Sequence, residues 1–549
     1  MKVALPVKAF LLFSSLLPFQ FLRSQTVDLS SSNLPIIVIN TPNKVEIPNE
    51  PKITADMGII FNGEGVVNKI SDPFNHYKGK IGIEVRGQSS QGFPMKSYSV
   101  ELRDLAGNDL DQSLFGLPAE SDWVMYAPFT DKTLMRNFLA YNMSRAMGRW
   151  APRCRHVEVI INGDYKGVYI FMERIKRGPD RVNISNLRTI DISGDQLTGG
   201  YIFSLDKGAN GWFSTYGPPN ATNSNKRQFS YVYPELIDIV SQQKAYIKSA
   251  VDAFESALAA PTFQDPFIGV RKFADVASFI DFFIVNEVSR NVDGYRLSSY
   301  FYKDKDSKNP RIYAGPVWDF DLAFRNADYC SGSLISGWAY MFNYVCPGDG
   351  AGLIPFWWER FMGADTAFQA DFRCRWKNLQ KTILNPEYFN TVIDSIATVV
   401  QEAQVRHFTR WPILGKYVWP NPQPIAVTYA QELTYLKAWL RDRMQWITNS
   451  LPNTGVCYDF PTDYSGSMIV NLFSNPIQGE GKMEVKSRYR QEVEVTVLDM
   501  LGRNMGTRRS TVNPGVSVVS LQSANWRPGI YFVRIVSTTG DKFTFRVVK

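Results

Sequence analysis

Between Pro35 and Met172 the apolar positions recur every second residue or gather in short β-branched runs, the spacing of half-buried strands. Ile36 to Ile39, Ile81 to Val85 and Lys96 to Leu102 are such runs. Arg155 to Ile161 and Tyr165 to Met172 flank Asn162-Gly163-Asp164. Asn-Gly accepts positive φ with little strain, so these two runs predict a hairpin. Among the strands, Asp131 to Met147 spaces Leu134, Phe138, Tyr141 and Met143 at the helical interval, with Thr130 or Asp131 available as the cap.

The period then changes. Pro234 to Leu258 repeats Leu236, Ile239, Val240, Ile247, Val251, Phe254 and Leu258 along one helical face. Phe273 to Val288 is apolar nearly all round, which predicts a helix buried on several sides. Pro386 to about His407 and Tyr429 to about Thr448 are amphipathic. Pro386 suits a first helical turn, where its missing N–H costs nothing. Pro452, Gly455 and Pro461 then punctuate the chain. Beyond them Met483 to Val485, Val493 to Leu498, Val516 to Leu521, Ile530 to Val536 and Phe543 to Val548 alternate in short strands, as in a small β-sandwich. The patterning divides the chain into a β-rich unit with an inserted helix (25–200), a mainly helical unit (201–450), a linker (451–465) and a β-sandwich (466–549).

Residues 1–24 follow another logic. Lys2 and Lys8 precede an apolar run from Ala9 to Leu22, broken by Pro18 and short for a membrane span. Ser24 before Gln25 suits a signal-peptidase cut, so this segment is expected to be a removable export signal. No later stretch has the 18 apolar residues of a span, and the mature chain is expected not to cross a membrane.

Composition narrows the picture. With 44% hydrophobic and 20% charged residues the chain is globular, and 549 residues ask for more than one domain. The net charge of +8 raises the question of a nucleic-acid partner. Its distribution answers no: Lys2, Lys8 and Arg23 fall in the signal, and 467–549 holds 12 basic against 6 acidic residues. The body between them is close to neutral and lacks an electrostatic footprint for phosphate backbones. Export permits disulfides. Cys330 and Cys346 share one Gly-rich, aromatic stretch and are expected to pair, while Cys154, Cys374 and Cys457 stay unassigned. No Cys-x-x-Cys offers a thiolate zinc site.

Four groups of residues can carry chemistry. Arg86-Gly87-Gln88-Ser89-Ser90 ends a strand and precedes Lys96. A glycine with two hydroxyls can present N–H and O–H donors to phosphate, with Arg86 and Lys96 adding charge. Glu173-Arg174 closes the strand after the hairpin, where Glu173 can pair with Lys96 across the sheet. Asn291-Val292-Asp293 follows the apolar helix and offers an acceptor for a hydroxyl proton. Trp318-Asp319-Phe320-Asp321 places two carboxylates two residues apart, on one face of an extended backbone. Two such carboxylates repel unless a cation lies between them, and magnesium takes one or two carboxylates plus phosphate oxygens.

The series Arg86-Gly87-x-Ser89-Ser90…Lys96, Asp131…Arg136-Asn137, Asn162-Gly163-x-Tyr165-x-Gly167-Val168-Tyr169…Glu173, Asn286-Glu287…Asp293 and Trp318-Asp319-x-Asp321 resembles the CotH (spore coat protein H) kinase family over roughly 35–450. The resemblance implies an α+β, atypical protein-kinase-like fold: a β-rich N-lobe and a helical C-lobe holding ATP and Mg2+ or Mn2+ between them. It implies transfer of the γ-phosphate to hydroxyls, serine above all, of secreted or surface proteins. Asp293 then looks like the catalytic aspartate, and Asp319 with Asp321 like the metal ligands. Arg86, Ser89, Ser90, Lys96 and Glu173 look like the nucleotide-binding set. One position departs: Ser298 stands five residues beyond Asp293, where kinases place a metal-binding Asn. A catalytically silent surface adhesin on the same fold is therefore the alternative. A hydrolase fits poorly, because only His76, His156 and His407 are present and no Gly-x-Ser-x-Gly elbow occurs.

Asn471-Leu472-Phe473-Ser474-Asn475-Pro476, Val497-Leu498-Asp499…Gly502-Arg503, Gly529-Ile530-Tyr531-Phe532-Val533-Arg534 and the final Val547-Val548-Lys549 look like the C-terminal sorting domain of type IX secretion cargo. That resemblance implies passage through the periplasm to the outer surface of a Gram-negative cell.

Overall fold

The computed structural model describes residues 26–265, 268–454, 457, 466–488, 490–513 and 515–549. The expected signal at 1–24 and most of the second half of the expected linker lie outside these residues.

Seven strands form the first unit: β1 (Ile36–Asn40), β2 (Ile53–Ile60), β3 (Tyr77–Arg86), β4 (Ser97–Arg103), β5 (Asp122–Tyr126), β6 (Cys154–Ile161) and β7 (Asp164–Glu173). They close into a barrel in the order β1-β2-β3-β4-β5-β7-β6. Neighbours are antiparallel except at the seam, where β6 runs parallel to β1 with Ile36 opposite Glu158. Closure leaves no unpaired edge. The expected hairpin joins β6 to β7, with Asn162 at φ 54° and Gly163 at φ 83°. Helix α1 (Arg136–Ala146) starts later than its apolar spacing predicts, because Leu134 is left-handed at φ 59°. The N-cap position is Met135 rather than Asp131, though the Asp131 carboxylate still accepts the Thr133 N–H at 3.1 Å and the first helical N–H, that of Arg136, at 2.8 Å.

The region expected to be mainly helical also holds a sheet. β8 (Tyr201–Leu205), β9 (Phe229–Tyr233), β10 (Ser299–Lys303) and β11 (Ile312–Ala314) pair antiparallel in the order β9-β8-β10-β11. Helix α2 (Ser241–Ala259) begins after the Pro234 lead-in, whose Leu236 and Ile237 are exposed. α3 (Val276–Ser289) is the expected buried helix, with every residue but Ala277 inside. Asp275 caps its start through the Ser278 N–H, and Arg290 stops it at φ 47°. α4 (Trp357–Ala364) and α5 (Thr366–Gln380) were not legible in the periodicity. The helix expected from Pro386 to His407 is two, α6 (Pro386–Val399) and α7 (Ala403–Arg410). The break turns α7 onto the barrel, where His407 Nδ1 accepts the Val168 N–H at 3.1 Å. α8 (Tyr429–Asn449) completes this part. One apolar core runs through it, from Leu34 to Ile447.

The tail has its own core, from Met468 to Val547. Its two sheets combine β12 (Met468–Leu472), β13 (Lys482–Ser487), β14 (Gln491–Asp499), β15 (Asn504–Val512), β16 (Gly515–Ser520), β17 (Ile530–Ser537) and β18 (Lys542–Val548) in the orders β12-β13-β16 and β15-β14-β17-β18. Cys330 and Cys346 are joined, as expected, and Cys374 is joined to Cys457. Cys154 is a buried free thiol. Among the described residues no helix is long and apolar enough to cross a membrane.

A charge pair lies inside the large core. Glu287 of α3 meets Arg443 of α8 at 3.1 Å, both side chains without solvent exposure. Glu287 also accepts from Tyr295 Oη and from the Ala339 and Tyr340 N–H groups. Arg443 donates further to the carbonyls of Glu287, Ile335 and Gly337. Removing one partner of such a pair strands the other charge in an apolar surrounding. Arg443→Met is therefore expected to destabilise the protein by about 3–5 kcal/mol, read as a lowered urea midpoint at unchanged slope.

Candidate active site

A cleft of about 410 Å³ opens where the barrel meets the β8–β11 sheet. Arg86 reaches it from the end of β3, and Gly87 turns the chain there at φ 97°. That positive φ is what asks for glycine here, and a Cβ at position 87 would also force Ser90 Oγ to move. Ser89 and Ser90 follow in a short 3-10 turn on the cleft wall. Lys207 closes this loop from the opposite side, its Nζ donating to Ser89 Oγ at 2.8 Å. The Arg86 guanidinium lies 5.4 Å from the Trp318 ring centroid, a cation–π distance.

Asp293 enters the cleft three residues after the left-handed stop of α3. Asn291 holds the turn: its Oδ1 accepts the Asp293 N–H at 3.1 Å, and its Nδ2 donates to the Asp319 carbonyl at 3.4 Å. Asp293 Oδ1 pairs with Arg296 Nη2 at 2.5 Å.

The Trp318–Asp321 segment is not extended, which corrects the expectation drawn from its two-residue spacing. Asp319 is left-handed at φ 65°. Helix α1 fixes this conformation: the Asp319 N–H donates to Tyr141 Oη at 3.2 Å and the Phe320 N–H to Asn137 Oδ1 at 2.6 Å. The buried Asp131–Arg136 pair beneath positions α1 in turn. Phe320 points into the core, while Trp318, Asp319 and Asp321 line the cleft.

A further carboxylate, Asp206, follows β8 and lines the same cleft. The register sets Leu205 opposite Ser299, which brings Asp206 beside Ser298. Ser298 Oγ lies 3.5 Å from both Asp206 Oδ2 and Asp319 Oδ2. Sequence reasoning missed Asp206 because Tyr201–Leu205 is buried throughout and shows no alternation that would mark a strand end.

The crowding has an electrostatic signature. Burial, then the neighbouring Asp293 and Asp206 charges, push the Asp319 carboxyl up to about 6, with Arg86 and Lys207 opposing. Burial, then Asp319, Asp293 and Asp131, drive Asp321 well above the carboxylate range. Burial also raises Asp206. Among the described residues neither Asp206, Asp319 nor Asp321 has a basic side chain within ion-pair distance; Asp293 has Arg296. Clustered, under-compensated carboxylate oxygens are a donor set for a hard divalent cation. Among the described residues no three His, Cys, Asp or Glu side chains are grouped to hold a metal by themselves. The chemistry thus fits a cation that takes one or two protein carboxylates and draws its other ligands from phosphate and water.

Two expected residues stand apart. Lys96 does not meet Glu173; its Nζ donates to the Gln91 carbonyl at 2.5 Å. The fully buried Glu173 is held by Arg153 and Arg181, each at 2.6 Å. Two guanidiniums already satisfy that carboxylate, and neither Lys96 nor Glu173 lines the cleft. Arg86, Ser89, Ser90, Asp293, Asp319 and Asp321 do. Their neighbours include the aromatic side chains of Tyr126, Tyr141, Tyr300, Trp318, Tyr329 and Trp419.

No curated protein matches the chain. The family model described as secretion system C-terminal sorting domain matches residues 471–549, the tail sandwich. The model described as CotH kinase protein matches residues 83–447, from within β3 almost to the end of α8, and takes in every wall of the cleft. The chain belongs to the CotH kinase protein family and ends in a secretion-system sorting domain.

Proposed function

We propose that the protein is an exported phosphotransferase that moves the γ-phosphoryl group of ATP to a hydroxyl, in the first instance serine, of a secreted or surface protein. The observation that carries this reading is the convergence of Asp293, Asp319 and Asp321 in one cleft with the Arg86–Ser90 loop. Arg86, the hydroxyls of Ser89 and Ser90, and Lys207 face the phosphates. Asp319 and Asp321 hold Mg2+ or Mn2+, which neutralises phosphate charge when bound. Asp293 accepts the proton of the attacking hydroxyl. Phosphoryl transfer asks little covalent work of a protein, so positioning and charge compensation are the main contributions. The two-lobe, kinase-like description belongs to the same proposal, with the barrel as one wall of the cleft and the helical part as the other.

The sorting domain implies secretion or display at the outer surface. We assign its recognition to the type IX machinery of a Gram-negative cell, after export directed by residues 1–24. A second reading, a surface adhesin without catalysis, draws on Ser298, whose hydroxyl is a poorer magnesium ligand than an amide carbonyl.

The full-length protein is expected to bind Mn2+ and to transfer 32P from γ-labelled ATP. Asp319→Asn is expected to lower transfer by more than about 100-fold, as when a charge-stabilising group is removed from a phosphoryl-transfer site. Transfer by this variant at the wild-type rate would sink the metal assignment. Absence of ATP and Mn2+ binding by the wild type in calorimetry would favour the adhesin.

The raised Asp319 carboxyl predicts a pH effect. In the metal-free protein it stays protonated up to about 6, above its ordinary 3.8. Between these values the folded state binds more protons than the unfolded chain, so its contribution to stability falls as pH rises through that window. Acidifying from pH 7 to 5 is expected to raise the melting temperature of the metal-free wild type relative to Asp319→Asn, in paired thermal scans. Mn2+ affinity is expected to weaken over the same interval, because protons and cation compete for one carboxylate.

A further inference from the structure

Of the four carboxylates in the cleft, Asp293 is the one joined to a basic side chain. Arg296, three residues further on, donates from Nη2 to Asp293 Oδ1 at 2.5 Å. Its other nitrogens are tied to the backbone: Nε to the Val292 carbonyl at 2.9 Å and Nη1 to the Gly352 carbonyl at 3.2 Å. The guanidinium carbon lies 4.4 Å from the Phe342 ring centroid. A second arginine braces the first. Buried Arg227 donates to the carbonyls of Arg296 and Ala351. The Arg296 side chain is 14% exposed, so its charge is held with little access to water.

This arrangement does more than pair two charges. Each Arg296 nitrogen has an acceptor, and the aromatic face of Phe342 limits movement of the plane. Phe342 belongs to the loop closed by Cys330 and Cys346, and Gly352 follows that loop. The guanidinium is therefore fixed by elements outside the Asp293 turn. It fixes one carboxylate oxygen of Asp293 in turn, leaving Oδ2 for other partners.

We infer that Arg296 is a positioning residue: it holds Asp293 in the orientation that serves the acceptor hydroxyl, while the cation is left to the carboxylates without a basic partner. The inference rests on the phosphotransferase reading above. Lysine in place of Arg296 can reach one acceptor as a point charge but cannot bridge Asp293, Val292 and Gly352 with a rigid fork.

The test is a double-mutant cycle on the full-length protein, with ATP, Mn2+ and a Ser-containing acceptor peptide. Arg296→Met is expected to lower kcat by at least about tenfold, leaving the KM for ATP and the Mn2+ affinity by calorimetry within about twofold. Those two constants report the rest of the cleft, which a collapse of the fold would also damage. Asp293→Asn is expected to lower kcat further, and adding Arg296→Met to it to cost less than twofold more, because the arginine acts through that carboxylate. Arg296→Lys is expected to recover part of the loss. Multiplicative losses in the double variant would overturn the inference. So would unchanged kcat in Arg296→Met, or a parallel loss of Mn2+ affinity in Arg296→Met and Arg296→Lys. A wild type without transfer overturns the phosphotransferase reading itself, and this inference with it.

Discussion

A carboxylate buried in an apolar core has to be compensated, and Glu287 sets that requirement at the centre of this molecule. Its compensation comes from three separate stretches: Arg443 of α8, Tyr295 after α3, and the N–H groups of Ala339 and Tyr340 inside the disulfide-closed loop. Arg443 extends the network to Ile335 and Gly337, and Arg290, the residue that ends α3, also donates to Gly337. A charge that needs every one of these partners fixes where α3 stops and how the following turn leaves it. Asp293 lies on that turn. The buried ion pair thus adds conformational definition beside Asp293, whatever its net contribution to stability.

A second layer of positioning comes from α1. Its Asn137 and Tyr141 hold the peptide groups on either side of the Asp319–Phe320 bond, and the Asp131–Arg136 pair holds α1. A left-handed aspartate is costly for an ordinary side chain and persists where the surroundings over-determine it. The Asp131…Arg136-Asn137 part of the sequence series, which carries no chemistry of its own, therefore serves the cleft by shaping the backbone that carries Asp319.

Legibility in the sequence followed the physics of each element. The hairpin at Asn162-Gly163, the buried helix α3 and the helix opening at Pro386 announce themselves through local rules: positive φ, uniform apolarity, and a proline at the first turn. β8 did not, because a strand buried on both faces has no alternation to read. β15 did not either: Asn504-Met505-Gly506-Thr507-Arg508-Arg509 lies at a sheet edge and is largely exposed, so little apolar pattern is required of it. At the site, the motif residues on the loops proved to share a cleft, whereas Lys96 and Glu173 did not. Opposite charges on one sheet pair only if no nearer partner intervenes, and Arg153 and Arg181 are nearer. Arg296 and Asp206 were beyond reach, since each matters through register and packing partners distant in the chain.

The Cys374–Cys457 bridge bears on how the two cores are connected. Cys457 lies past the end of α8 and is bonded back to α5. The covalent link to the tail sandwich is thereby counted from Cys457 rather than from the helix end, roughly ten residues, whose fully extended length is at most ~35 Å. A cut between Cys457 and the sandwich would release the sorting domain yet leave a stub covalently tied to α5 through Cys457.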